Sequence, residues 1–150
     1  MSNTQYISIP LKDYIKKFAI WHLGNTPDLA SKKNIVGLMV YASLEPVTLG
    51  WQPHNGEDVL ELKVYRPNSP ITARGLVITT KKVKLLEDML DSMFMSELFA
   101  YIHINQLEHG WNKRNSMRKF LQKYNITEQE MPLQTLIKRV YRGEAVSKTA

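Results

Sequence analysis

Positive charge is concentrated in the last third of the chain. Residues 101–150 hold nine Lys and Arg (Lys113, Arg114, Arg118, Lys119, Lys123, Lys138, Arg139, Arg142 and Lys148) against four Asp and Glu, whereas residues 1–100 hold eleven against ten. Nearly all of the formal net charge of +6 therefore belongs to that stretch. Clustered cations are the electrostatic footprint of a polyanion partner, because neutralising phosphates releases their condensed counterions. On this reading Lys113, Arg114, Arg118, Lys119, Lys123, Lys138, Arg139 and Arg142 contact phosphates, and Trp111 and Tyr124, if exposed, stack on unpaired bases. The competing reading is a solvated helix face whose charge keeps the protein soluble.

Other chemistry has less to rest on. The four histidines are His22, His54, His103 and His109, and a spacing of six places the last two on different sides of a helix. There is no Cys, which excludes disulfide scaffolds, iron–sulfur clusters and thiol nucleophiles. No HExxH, Walker A, GxGxxG or GxSxG pattern occurs, and the seven glycines are scattered at turn and stop positions. Neither a metal nor a cofactor is expected. Glu87 and Asp91 are four apart on a helical pattern, a spacing that suits acid–base work or a metal. Lys81, Lys82 and Lys84 beside them make an ordinary charged helix surface the simpler reading. The chain is therefore expected to be non-enzymatic.

The elements that must position these residues follow from periodicity. A hydrophobic share of 43% with 23% charged residues is that of a globular protein rather than a disordered one. Gln5–Ile9 alternates as a strand, and Leu11, Tyr14, Ile15, Phe18, Ala19 and His22 recur at helical spacing up to Gly24. Asn25–Asp28 reads as a turn. The apolar run Ile35–Leu44 suits strand or helix, with helix favoured because Val36, Met39, Val40 and Ser43 would share a face. Val47–Trp51 reads as a short extended piece and Pro53–Gly56 as a turn. Val59–Arg66 alternates with Leu60, Leu62 and Val64 on one face, and Ile71–Thr79 is expected to pair with it as an antiparallel hairpin.

The longest pattern runs from Lys82 to His109, with Gly110 as its stop. Two shorter helices follow. The first carries Met117, Phe120, Leu121 and Tyr124 on one face, with Asn112 or Asn115 as cap. The second is expected to start at the capping-box pattern Thr127–Glu130, to bury Leu133, Leu136, Ile137, Val140 and Tyr141, and to stop at Gly143. The fold expected is α+β, a small and mainly antiparallel sheet packed on the long helix, with a basic helix-turn-helix-like pair at the C-terminal end. Its divisions are a core over 1–110, the basic hairpin over 111–143 and a frayed tail over 144–150.

The segments Tyr6–Phe18, Phe120–Glu130 and Leu136–Arg142 resemble small, functionally uncharacterised proteins of prophages and mobile elements in Bacteroides-type bacteria. The resemblance covers both ends and not the middle, and it brings over no functional residue. It implies a bacterial, cytoplasmic setting and a part in phage or element DNA metabolism.

The leading expectation is thus a nucleic-acid-binding protein, DNA favoured over RNA, that touches the phosphate backbone. Two features weigh against it. Glu128 and Glu130 at the start of the second basic helix repel phosphates, and the turn lacks the Gly common in such motifs. The alternative is an adaptor or assembly component, a homo-oligomer or partner-bound protein, that uses Met89, Met93 and Met95 or an open sheet edge. No apolar run approaches a membrane span, and Pro10, Lys12, Asp13, Lys16 and Lys17 interrupt any leader-like segment, so no membrane association is expected.

Overall fold

A computed structural model describes residues 3–24, 32–51, 54, 59–67 and 69–149, with side chains described as far as Glu144. The turns expected at Asn25–Asp28 and, except for His54, at Pro53–Gly56 lie outside the described residues. The architecture is α+β. It comprises two compact units, Met1–Leu90 and Asp91–Ala150. The division falls inside the longest helix rather than at 110/111, because the second half of that helix shares its core with the basic pair.

In the first unit, strand β1 (Thr4–Pro10) pairs antiparallel with β3 (Val59–Tyr65) along its whole length, Thr4 opposite Tyr65 and Pro10 opposite Val59. Alternation puts Ile7, Ile9, Leu60, Leu62 and Val64 inside. Helix α1 (Asp13–Leu23) buries Tyr14, Ile15, Phe18 and Ala19, and ends where the Gly24 N–H donates to the Trp21 carbonyl. The ambiguous run is helix α2 (Ile35–Ser43), started by Asn34, whose side chain accepts from Val36 and Gly37. Burial of side chains such as Phe18, Ile15 and Val36 is worth about 1.5–3 kcal/mol each.

The expected hairpin does not form. β3 pairs with β1 instead, and Pro70–Thr72 is a 3-10 turn that Ser69 caps by accepting from Ile71. The Thr72 hydroxyl closes the turn on the Pro67 carbonyl at 2.5 Å. What remains of the expected strand is β4 (Leu76–Val77), which pairs with β2 (Glu45–Pro46). Nor is Val47–Trp51 extended: the Val47 N–H donates to Gly75 and the chain then turns, Trp51 to Thr48.

That Val47–Gly75 bond directs the main-chain groups of Leu76 away from β2, towards β1. There the Gln5 amide meets both, Nε2 donating to the Leu76 carbonyl at 2.6 Å and Oε1 accepting from its N–H at 2.8 Å. One side chain replaces one residue of a strand. Gly75 makes room for it: φ is +105°, and a Cβ there would lie 3.1 Å from Gln5 Oε1.

Helix α3 (Thr80–His109) crosses the division. Its Val83, Leu86 and Leu90 are buried in the first unit, where the Lys12 N–H also donates to Glu87 at 3.0 Å. In the second unit Phe94, Leu98 and Ile102 of α3 are buried, as are residues of α4 (Lys113–Lys123) and α5 (Leu133–Thr149). Asn112 is the cap of α4, its side chain accepting from Asn115. The helix ends in a Schellman motif, Ile126 N–H to Leu121 and Asn125 N–H to Gln122, with Asn125 at φ 57°. Asn125 thus takes the place of the glycine the turn lacks.

Helix α5 starts and ends elsewhere than expected. The capping box forms, Thr127 N–H to Glu130 at 2.9 Å and Glu130 N–H to Thr127 at 3.3 Å, but it closes a turn, and α5 begins after Pro132. At the other end α5 continues through Gly143 and the expected tail to Thr149. Gly143 is a packing residue rather than a stop, because a Cβ there would lie 2.4 Å from the Phe99 ring. Among the described residues no helix is long and apolar enough to cross a membrane.

Two predictions follow the two contacts. Gln5→Leu, which keeps the bulk and leaves both Leu76 groups unpaired, is expected to lower unfolding free energy by about 2–4 kcal/mol in urea titration. Gly143→Ala is expected to destabilise by about 1–3 kcal/mol through overpacking against Phe99. A free helical position would instead gain about 1 kcal/mol from the same change, so the sign distinguishes the two roles.

Candidate nucleic-acid interface

Helix α4 has the sequence KRNSMRKFLQK, with five cations and no carboxylate. Such a helix is held by its buried face. Ser116, Met117, Phe120 and Leu121 are buried, and Phe120 meets Phe94, Tyr101 and Tyr124 at ring-centroid distances of 5.2, 5.6 and 5.0 Å. At 100° per residue, packing that side turns Arg114, Arg118, Lys119 and Lys123 outward, and all four are exposed. Gln122 is exposed between them and adds a neutral hydrogen-bonding group. On α5, Leu136 and Val140 are buried, and Lys138 and Arg142, one turn apart, are exposed.

The remaining two cations are paired with carboxylates within the unit. Arg139 forms a bidentate pair with Asp91, Nη1 to Oδ1 at 3.0 Å and Nη2 to Oδ2 at 2.6 Å. Lys113 donates to Glu144 at 2.7 Å and lies 5.6 Å from the centre of the Tyr141 ring. Both are removed from the expected phosphate set, because a partnered cation must give up its carboxylate before it can meet a phosphate.

The two aromatic candidates differ. Tyr124 is 3% exposed, its ring against Phe120 and its hydroxyl donating to Glu97 at 2.5 Å, so it is a core residue and not a stacking platform. Burial, then the Glu97 hydrogen bond and the Glu97 charge, raise its phenol above the ordinary value near 10. Trp111 is half-buried, 5.4 Å from the His109 ring, and retains an accessible part.

The expected obstacle at the start of α5 also changes. No acidic residue lies in the first turn of α5. Glu128 instead accepts from the Leu133 N–H at 3.1 Å and Glu130 accepts within the turn. The α5 N-terminus is thereby capped by a carboxylate and offers no vacant anion site. The connection from Tyr124 to Pro132, with Ile126 and Met131 buried in it, is longer than the roughly three to four residues of a helix-turn-helix. The pair is basic and helical without that motif's geometry.

The carboxylates weighed for acid–base work are separately engaged, Glu87 by the Lys12 N–H and Asp91 by Arg139. Among the described residues no group of three or more His, Asp or Glu is arranged to hold a metal ion. Met89, Met93 and Met95 are half-buried and do not form an open methionine face. The outward cations were legible from charge and spacing, but the engagement of Arg139, Lys113 and Tyr124 was not, because their partners lie 27 to 48 residues away. Compared with known proteins, the chain matches no family model, no curated protein and no solved structure.

Tyr124 supplies a pH prediction. A raised folded-state pKa means the folded protein holds the phenol proton more tightly than the unfolded chain. That stability is complete below the unfolded value near 10 and is lost as pH rises through the higher folded value. Stability should fall steeply above pH 10, and Tyr124→Phe should flatten the decline in urea titrations across that range.

Proposed function

We propose that this protein binds the phosphate backbone of nucleic acid through the outer face of α4, with Lys138 and Arg142 of α5 as auxiliary contacts. The observation that carries the reading is the exposure of Arg114, Arg118, Lys119 and Lys123 on one helix that contains no carboxylate. Cations that served only solubility would be expected interspersed with anions, as Lys84 is with Asp88 on α3. DNA is the favoured partner, in the setting of a phage or mobile element that the sequence resemblance implies. The cations act on phosphates, which gives affinity and register rather than base readout. The protein is a binding protein in this reading and not an enzyme, and it acts in the bacterial cytoplasm.

The test is fluorescence anisotropy with labelled duplex and single-stranded oligonucleotides over a salt series. Four duplex phosphate contacts should give a log–log slope of about −3.6. The combined Arg114→Gln, Arg118→Gln, Lys119→Gln and Lys123→Gln variant should lose most of that slope while its Tm is kept. Absence of binding by the wild type at low salt would overturn the reading.

A further inference from the structure

The first unit contains a second feature with chemical character. A cavity of about 270 Å³ lies between β1 and β4, lined by Tyr6, Ser8, Trp51, His54, Arg74 and Ile78 among others. Among the described residues no Asp or Glu lines it. Its form follows from strand register. The Arg66 N–H donates to Asn3, which makes Gln5, Ile7 and Ile9 the residues that bond to β3. The N–H and C=O groups of Tyr6 and Ser8 therefore face the opposite edge, towards β4, and meet no hydrogen-bond partner among the described residues.

β4 does not complete the ladder on that edge. Its Leu76 groups are taken by the Gln5 amide, and the Ile78 carbonyl is taken by His54 Nε2 at 2.6 Å, so that nitrogen carries the proton. The slot is bridged by Gln5 and flanked by the Trp51 and His54 rings, whose centroids are 6.4 Å apart. Arg74 is exposed beside it, within the lining.

We propose that this slot binds an anion of the nucleoside monophosphate class, with a planar base and one phosphate. Base-edge donors and acceptors would pair with the free Tyr6 and Ser8 main-chain groups, Trp51 would contact the base, and Arg74 would hold the phosphate. An extended peptide fits less well, because the Gln5–Leu76 bridge closes the path along β1 that an added strand needs. The volume, at the lower end of ligand cavities, suits a single nucleotide with one phosphate rather than a larger ligand. The site shares no residue with the α4 surface, so the two stand or fall separately.

Isothermal titration of the full chain with the four common nucleoside monophosphates tests this, with inorganic phosphate, the free nucleosides and a tripeptide with a free carboxylate as separate arms. Saturable binding of at least one monophosphate is expected, with phosphate and nucleoside alone each about tenfold weaker or more. Arg74→Gln should weaken the monophosphate about tenfold while leaving Tm and oligonucleotide binding in place. Trp51→Leu should bring the monophosphate down to the affinity of inorganic phosphate. The quadruple α4 variant should bind the monophosphate like the wild type. The proposal is overturned by no saturable binding into the millimolar range, by equal affinity for inorganic phosphate, by preference for the tripeptide, or by binding that survives Arg74→Gln.

Discussion

Phe120 is 1% exposed and is surrounded by the rings of Phe94, Tyr101 and Tyr124. An eleven-residue helix is marginal by itself, and one with five cations and no carboxylate is further opposed by its own repulsion. The aromatic packing supplies what the helix lacks. It also decides direction: once Phe120 and Met117 are inside, the helical period leaves Arg114, Arg118, Lys119 and Lys123 no place but the outside. The cationic face and the core are two consequences of one burial.

The cations of the second unit divide by partner rather than by position in the sequence. Arg139 and Asp91 are each about 28% exposed, and their fork geometry orients α5 against the second half of α3 as much as it adds stability. Lys113 and Glu144 tie the start of α4 to α5 in the same way. Helix α5 can lie close to α3 because residue 143 has no side chain where the Phe99 ring sits. Close approach, an ion pair and an aromatic core act together, and the exposed cations are those that this packing turns outward.

In the first unit a comparable economy appears in the sheet. Two-residue strands have little stability alone, and β4 is held on one side by β2 and on the other by a single Gln5 side chain. Pro46 is tolerated in β2 because its position opposite Leu76 is one where no N–H is required. The amide bridge keeps β4 from continuing the ladder along β1, and the slot between the two strands follows directly from that interruption.

Local pattern determined much of this in the sequence itself. The helices α1 to α5, the strands β1 and β3, the stop at Gly24, a cap at Asn112 or Asn115 and the outward set Arg118, Lys119 and Lys123 all rest on periodicity or on contacts a few residues apart. Tertiary structure decided the rest. Whether β3 paired with the following segment or with β1 depended on which distant edge was available. Whether Gly143 was a stop or a point of close packing depended on Phe99, and whether Tyr124 faced bases or the core depended on Phe120 and Glu97. Side-chain type and spacing specify which groups a residue can offer; the groups it meets are set by long-range packing, which no window along the chain contains.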